Sequence, residues 1–199
     1  MKADEAAELM DKSAESDRFK QRAAVMIAAF AMVLAICGLG GSNAGKEAGL
    51  NNVLASNYFN FYQAKNLRQA ALGLAVDEAE LVWLTYPATP EAAKQAIREK
   101  VTRYKATIAR YESEPETREG KKELMVRAKE YEEKRDHALK QDPYFDYAEA
   151  LLQIAIVLTS VAIVANLAWL AYFGGVIGIV GLLLTINGFW LLVEIPGLA

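Results

Sequence analysis

The feature that most constrains this chain is a long stretch near its carboxyl end without ionisable side chains. No Asp, Glu, Lys, Arg or His lies in residues 150–193, whereas a charge recurs every second or third residue in 91–140. A helix of about 20 apolar residues crosses the hydrocarbon core of a bilayer, and this stretch has about twice that length. It predicts a hairpin of two membrane-spanning helices, 147–170 and 173–193.

A second apolar segment, residues 23–41, follows a polar amino-terminal tail of residues 1–22. Its length predicts another membrane-spanning helix, and a cleavable signal peptide is the less favoured alternative. Residues 42–146 then form the segment between the first and second spans, and their composition predicts a water-facing domain. The fold class predicted is therefore all-α, with three transmembrane helices and a helical coiled-coil domain inserted between the first and second.

Orientation follows from the basic residues beside the spans, because Lys and Arg are enriched on the cytoplasmic side. Arg18, Lys20 and Arg22 precede the first span, and only Lys46 closely follows it. We therefore expect a multi-pass protein of the bacterial inner membrane, with a cytoplasmic amino terminus and a periplasmic coiled-coil domain. The opposite orientation is favoured by basic residues before the second span, which are Lys134, Arg135 and Lys140.

The inserted domain has the spacing of helices that pack along a seam. We expect a first helix from about Lys46 to Leu84. Pro115 marks a break between the two later helices, and Pro143 marks the start of the second span. The later helices are expected to fold back on each other as an antiparallel hairpin. The first helix carries Ala64, Leu67, Ala71, Leu74 and Leu81 on one stripe. The next has alternating spacings of four and three residues, the pattern of a coiled-coil seam, at Ile97, Val101, Tyr104, Ile108 and Tyr111.

Small residues recur along the first and third spans, and small faces let helix backbones approach closely in lipid. We expect them to form a helix-packing interface, either within one chain or between chains, in which the two faces meet. The set comprises Gly174, Gly178, Gly181, Ala24, Ala28, Ala31 and Ala35.

Residues 57–65 combine aromatic and amide side chains, with Tyr58, Phe61, Tyr62 and Lys65 on one helical face. One hypothesis is a partner-binding or lipid-interface surface. The alternative, which we favour, is that these side chains pack on the neighbouring helices as core.

At this segment the chain also resembles a known family. The residues Ala55-Ser56-Asn57-Tyr58 lead into Phe61-Tyr62-Gln63-Ala64-Lys65-Asn66-Leu67-Arg68, and the charged helices end in Arg135-Asp136-His137-Ala138. Together with the closing apolar hairpin, these motifs are similar to the bacterial membrane proteins grouped as domain of unknown function family 4337. The similarity covers most of residues 18–193 and centres on Tyr62-Gln63-Ala64-Lys65. It implies a membrane protein and brings no activity with it.

Several classes of function are disfavoured. Acidic and basic residues alternate and the net charge is only -3, so no nucleic-acid footprint is present. Catalytic motifs are lacking, no cofactor is implied, and the pair Glu133 and His137 supplies too few ligands for a metal site. The single cysteine, Cys37, lies in the first span.

What remains is a non-enzymatic membrane protein whose partners are membrane lipids and either further copies of itself or a larger membrane complex. We expect a homo-oligomeric, accessory or scaffold subunit. The alternative is a small oligomeric channel or transport component, which needs a continuous polar face along a span. The polar side chains of the second and third spans do not form such a face; they are Glu149, Gln153, Ser160 and Asn187.

Overall fold

The computed structural model describes residues 3–86 and 88–196, with side chains from residue 14 onwards, and these residues form four α-helices and no β-strand. The helices are α1 (Ala3–Thr85), α2 (Glu91–Glu112), α3 (Lys121–Ala165) and α4 (Ala168–Trp190). The all-α prediction is confirmed. Within the described residues, three helices, α1, α3 and α4, are long and apolar enough to cross a membrane.

Helix α1 differs from the prediction because it has no break after the first apolar segment. The sequence predicts a span of residues 23–41 that is separate from a helix beginning near Lys46, but α1 runs through both. Glycine lowers helix stability by only about 1 kcal/mol relative to alanine, so the glycines in this region weaken the helix without ending it. One of them has a packing role: a Cβ on Gly40 would lie 2.5 Å from the Phe145 ring.

Helix α3 differs in the same way, since Pro143 lies inside it rather than at the start of a span. Proline within a helix removes one backbone hydrogen bond and costs about 3 kcal/mol. The two residues that follow, Tyr144 and Phe145, are 0% and 3% exposed, so tertiary packing holds the helix at this point.

The turn between α3 and α4 lies at Asn166 and Leu167, not at residues 171–172. Asn166 adopts a left-handed conformation with φ 52°, which asparagine tolerates better than most residues. The Leu167 N–H then donates a hydrogen bond to the Ala162 carbonyl at 3.1 Å, as in a Schellman motif. Gly174 and Gly175 are consequently interior residues of α4.

The chain divides into two compact units. Unit 1 comprises residues 1–48 and 136–199, and unit 2 comprises Gly49–Arg135. Unit 1 therefore contains the apolar parts of α1 and α3 together with α4. Its core combines small residues with a few large ones: Phe30, Cys37, Ala44, Phe145, Ala148, Leu152 and Ala155.

Unit 2 contains the second half of α1, all of α2 and the beginning of α3. The fully buried apolar residues of unit 2 lie on α1 and α3, and α2 has none within Glu91–Glu112. The five residues predicted as a seam on α2 are each half-buried: Ile97, Val101, Tyr104, Ile108 and Tyr111.

Candidate interaction site

The aromatic segment of α1 faces the other helices of unit 2. The Tyr58 ring stacks on that of Tyr131, with centroids 5.5 Å apart and planes 7° from parallel. Tyr62 is half-buried beneath the Lys121 ammonium, which lies 5.6 Å from its ring centroid. Phe61 stays 37% exposed. Three of the four residues in the predicted partner surface are therefore largely covered within the chain.

Lys65, the fourth of them, is 5% exposed. Its ammonium lies 3.8 Å from carboxylate oxygens of both Glu114 and Glu119. It also lies 5.1 Å from the ring centroid of Phe61 and 5.5 Å from that of Tyr111. A buried ammonium is costly without compensation, and two anions with two ring faces supply it. We call these five residues the Lys65 cluster.

A second polar group lies one turn further along α1, around the side chain of Gln69. Its amide nitrogen donates to the Ile108 carbonyl at 3.2 Å and to the Glu112 carboxylate at 3.1 Å. Its amide oxygen accepts a hydrogen bond from the Lys121 ammonium at 2.7 Å. Hydrogen bonding from Gln69, then from Lys121, lowers the pKa of the Glu112 carboxyl. Gln69 thereby joins the end of α2 and the start of α3 to α1.

The turn between α2 and α3 has internal bonds of its own. The Ser113 hydroxyl donates to one oxygen of Glu123 at 2.5 Å, and the Glu114 N–H donates to the other at 3.2 Å. The hydroxyl bond from Ser113 is the main cause of a lowered pKa at Glu123. A Cβ on Gly120 would lie 2.6 Å from the Ser113 Cα, so the close approach requires glycine. These groups are satisfied by one another, which suits a structural role.

The opposite face of α1 in unit 2 is exposed, and seven of the ten positions of its repeat are apolar. Its residues repeat with alternating spacings of three and four, so that Leu67, Leu74 and Leu81 lie seven residues apart. These leucines are 73%, 66% and 63% exposed. All ten positions of this repeat are exposed, and we call them the α1 seam: Leu50, Val53, Asn57, Asn60, Ala64, Leu67, Ala71, Leu74, Glu78 and Leu81.

The predicted glycine face of α4 packs inside unit 1. Gly178 lies against the Phe30 ring of α1, and Cβ atoms on Gly174 and Gly181 would lie 2.8 Å from Thr159 Oγ1 and 2.9 Å from Leu152 Cγ. All three glycines are buried. The alanines expected to receive them are exposed, so the structure does not bring the two small faces together: Ala24, Ala28, Ala31 and Ala35.

Helical spacing predicts Lys65 on the aromatic face, but it does not predict the carboxylate partners of Lys65. Glu114 and Glu119 belong to the α2–α3 turn, for which the sequence predicts only a helix break at Pro115. A signal was available, because a single lysine one turn after Phe61 interrupts an otherwise aromatic face. In the described part of the chain, no three His, Cys, Asp or Glu side chains come together in a possible metal site.

A family model described as Domain of unknown function (DUF4337) matches residues 19–191. The match spans most of the chain, includes most of unit 1 and all of unit 2, and contains both Lys65 and the α1 seam. Neither a curated protein nor a solved structure matches the chain.

Proposed function

The chain belongs to the DUF4337 family, and from that premise we propose that it is a non-enzymatic membrane subunit that self-associates through the α1 seam. In this proposal unit 1 lies in the bilayer of the bacterial inner membrane. Unit 2 is a water-facing helical domain that holds copies of the chain together as a scaffold, or joins them to a larger complex.

Membrane insertion is supported by the surface of unit 1. Large aliphatic side chains of α3 and α4 point outwards, with Val157, Val164 and Leu183 exposed by 59%, 89% and 59%. Lipid covers such a surface without cost, whereas water does not. The basic residues before the first span favour a cytoplasmic amino terminus, which leaves unit 2 in the periplasm.

The observation that carries the self-association proposal is the α1 seam. Burying a leucine side chain contributes about 1.5–3 kcal/mol, so a row of exposed leucines on a water-facing helix favours association. The same helix already uses its other face for the Lys65 cluster and Gln69. The leucines are therefore not needed for packing within unit 2.

The proposed occupant of the seam is the α1 seam of a second copy. Two copies anchored in one membrane share their orientation, so their α1 helices meet in parallel. Leucine at every second seam position from Leu67 to Leu81 suits knobs-into-holes packing, and a polar residue within a seam specifies its register. Asn57 and Asn60 occupy successive positions of the seam and fit that second role.

The mass of the purified full-length protein in detergent tests this proposal. The native chain should be a defined oligomer. The double substitution Leu67→Glu and Leu74→Glu should weaken association at least about tenfold for each leucine, because each charge replaces an apolar contact. Val126→Glu is the matched control, since Val126 is 57% exposed on α3 and lies off the seam.

Equal masses for the native chain and the double variant would overturn self-association through the seam. A foreign chain that co-purifies with the native protein but not with the double variant would assign the seam to a different partner, provided that the oligomeric mass of this chain is the same in both. Within the proposal, that result separates an accessory subunit from a homo-oligomer.

The channel alternative has less support. The hydroxyls of Thr159 and Ser160 donate to carbonyls of their own helix, at 2.7 Å each, and Gln153 donates to Glu149. These groups bond locally and do not extend along α3 as a continuous polar face.

A further inference from the structure

Unit 1 contains a groove that the proposed function does not use. It has a volume of about 940 Å³ and lies between residues 15–26 of α1, the α3–α4 turn and the first half of α4. The Ser16 hydroxyl donates to the Asn166 amide oxygen at 3.3 Å, which ties α1 to the turn at this end of unit 1.

One end of the groove is cationic. Arg18 and Arg22 both line it and lie one helical turn apart. Both side chains are exposed, and no carboxylate of the residues that the structure describes forms an ion pair with either. Glu15 is the one acidic residue in the lining, so two guanidinium groups outweigh a single carboxylate. Arginine side chains suit phosphate because their planar donors match its oxygens.

The other end of the groove is apolar. Met26 of α1 and Val176 and Ile179 of α4 line it, and the Met26 sulfur packs closely against Gly175. From Ala168 to Ile179 the helix rises about 16 Å, which is roughly half of a hydrocarbon core about 30 Å thick. The groove therefore extends from the level of the membrane surface to a depth that one acyl chain reaches.

We propose that this groove binds an anionic phospholipid, whose phosphate contacts Arg18 and Arg22 and whose acyl chain lies along Val176 and Ile179. The cationic end alone would suit any phosphate, and the apolar end alone would suit any chain. Their combination within one groove selects an amphiphile that carries both. The inference rests on the membrane placement in the proposed function, and it is independent of the α1 seam.

Native mass spectrometry of the delipidated full-length protein in non-ionic detergent tests this inference by counting bound lipid during titration with phosphatidylglycerol. The single substitution Arg22→Gln should weaken phosphatidylglycerol binding about fivefold. The double substitution Arg18→Gln and Arg22→Gln should weaken it by about the square of that factor. Lys20→Gln removes the same charge from a residue that pairs with Asp17 at 3.9 Å and does not line the groove. It should leave binding unchanged.

The apolar end has its own test. Ile179→Trp fills the groove without changing charge and should also weaken binding. Ile186→Trp, one heptad further along α4 and outside the groove, is its control.

Equal effects of Arg22→Gln and Lys20→Gln would overturn the site in favour of general charge attraction. Equal binding of phosphatidylcholine would overturn the requirement for an anionic lipid. Displacement of the lipid by inorganic phosphate at a concentration equal to that of the lipid would show that the acyl chain contributes nothing and would overturn the lipid assignment. Release of the protein from membranes by an alkaline carbonate wash would refute the membrane placement itself. If the protein stays in the membrane during the wash but the variants do not show the expected changes in lipid binding, the lipid site in the groove is refuted and the membrane placement is not.

Discussion

At the scale of single residues, Lys65 shows how a charged side chain comes to be part of a packed domain. Its ammonium is almost inaccessible to water, yet two carboxylates and two aromatic rings surround it. Glu114 and Glu119 both come from the α2–α3 turn. The lysine therefore fixes that turn against α1.

Replacing Lys65 by methionine should destabilise unit 2 by about 2 kcal/mol, because it leaves two carboxylates without their partner. This loss of stability is smaller than that for a fully buried ion pair, since 54% of the Glu119 side chain is exposed and water rehydrates its carboxylate. Thermal unfolding followed by circular dichroism measures the loss. Lys122→Met changes an exposed neighbour and is the control. Equal melting temperatures for the two variants would contradict the role assigned to the cluster.

At the scale of helices, close packing in unit 1 depends on glycines that leave room for large side chains. Gly178 of α4 lies directly against the Phe30 ring of α1, and Gly40 of α1 lies against Phe145 of α3. In the proposed membrane placement, apolar association has no hydrophobic driving force, so this contact area would hold the helices together.

Gly178→Ala should therefore lower the stability of unit 1 without changing the oligomeric mass, because the new methyl group collides with Phe30 inside the same chain. We expect a loss of about 1–3 kcal/mol, typical of overpacked sites. Reversible unfolding by denaturant in detergent measures it, and Phe30→Leu in the same chain should restore part of the loss. Gly38→Ala is the matched control, because no atom lies within 4 Å of its added Cβ. A changed mass in Gly178→Ala would place the glycine between chains instead.

Helix content was predictable from sequence, but several helix ends were not. The apolar stretches predicted three helices able to cross a membrane, and this is confirmed. Pro143 suggested a helix start that burial of Tyr144 and Phe145 overrides. The α3–α4 turn depends on the left-handed conformation of Asn166, which composition alone does not distinguish from a turn at residues 171–172.

The candidate site was predictable only in part, because it joins residues that are distant in sequence. Spacing placed Tyr58, Phe61, Tyr62 and Lys65 on one face of α1, and it placed several leucines on a stripe. It did not indicate which stripe the chain covers. That depends on the α2–α3 turn returning to Lys65 and Gln69, a contact between residues about 45 positions apart that periodicity does not encode.

At the scale of the whole molecule, one compact unit is inserted into the sequence of the other. Unit 2 lies in the chain between the two segments of unit 1, and the compact unit Gly49–Arg135 is shorter at both ends than the predicted domain of residues 42–146. The difference arises because α1 and α3 each continue through both units without a break. In the proposed function, the two units divide the work between anchoring in lipid and association in water.

Disulfide formation between copies in intact membranes tests the central claim of self-association through the α1 seam most directly. In a Cys37→Ala background, single cysteines at Leu67, Leu74 and Leu81 should each give a disulfide-linked dimer on mild oxidation. Seam residues of two parallel helices face each other at a separation that a disulfide spans. A cysteine at Val126 should give none. Either of two results would contradict self-association through the α1 seam. One is dimers at Val126 as abundant as those on the seam, and the other is the absence of dimers at every one of the three leucine positions.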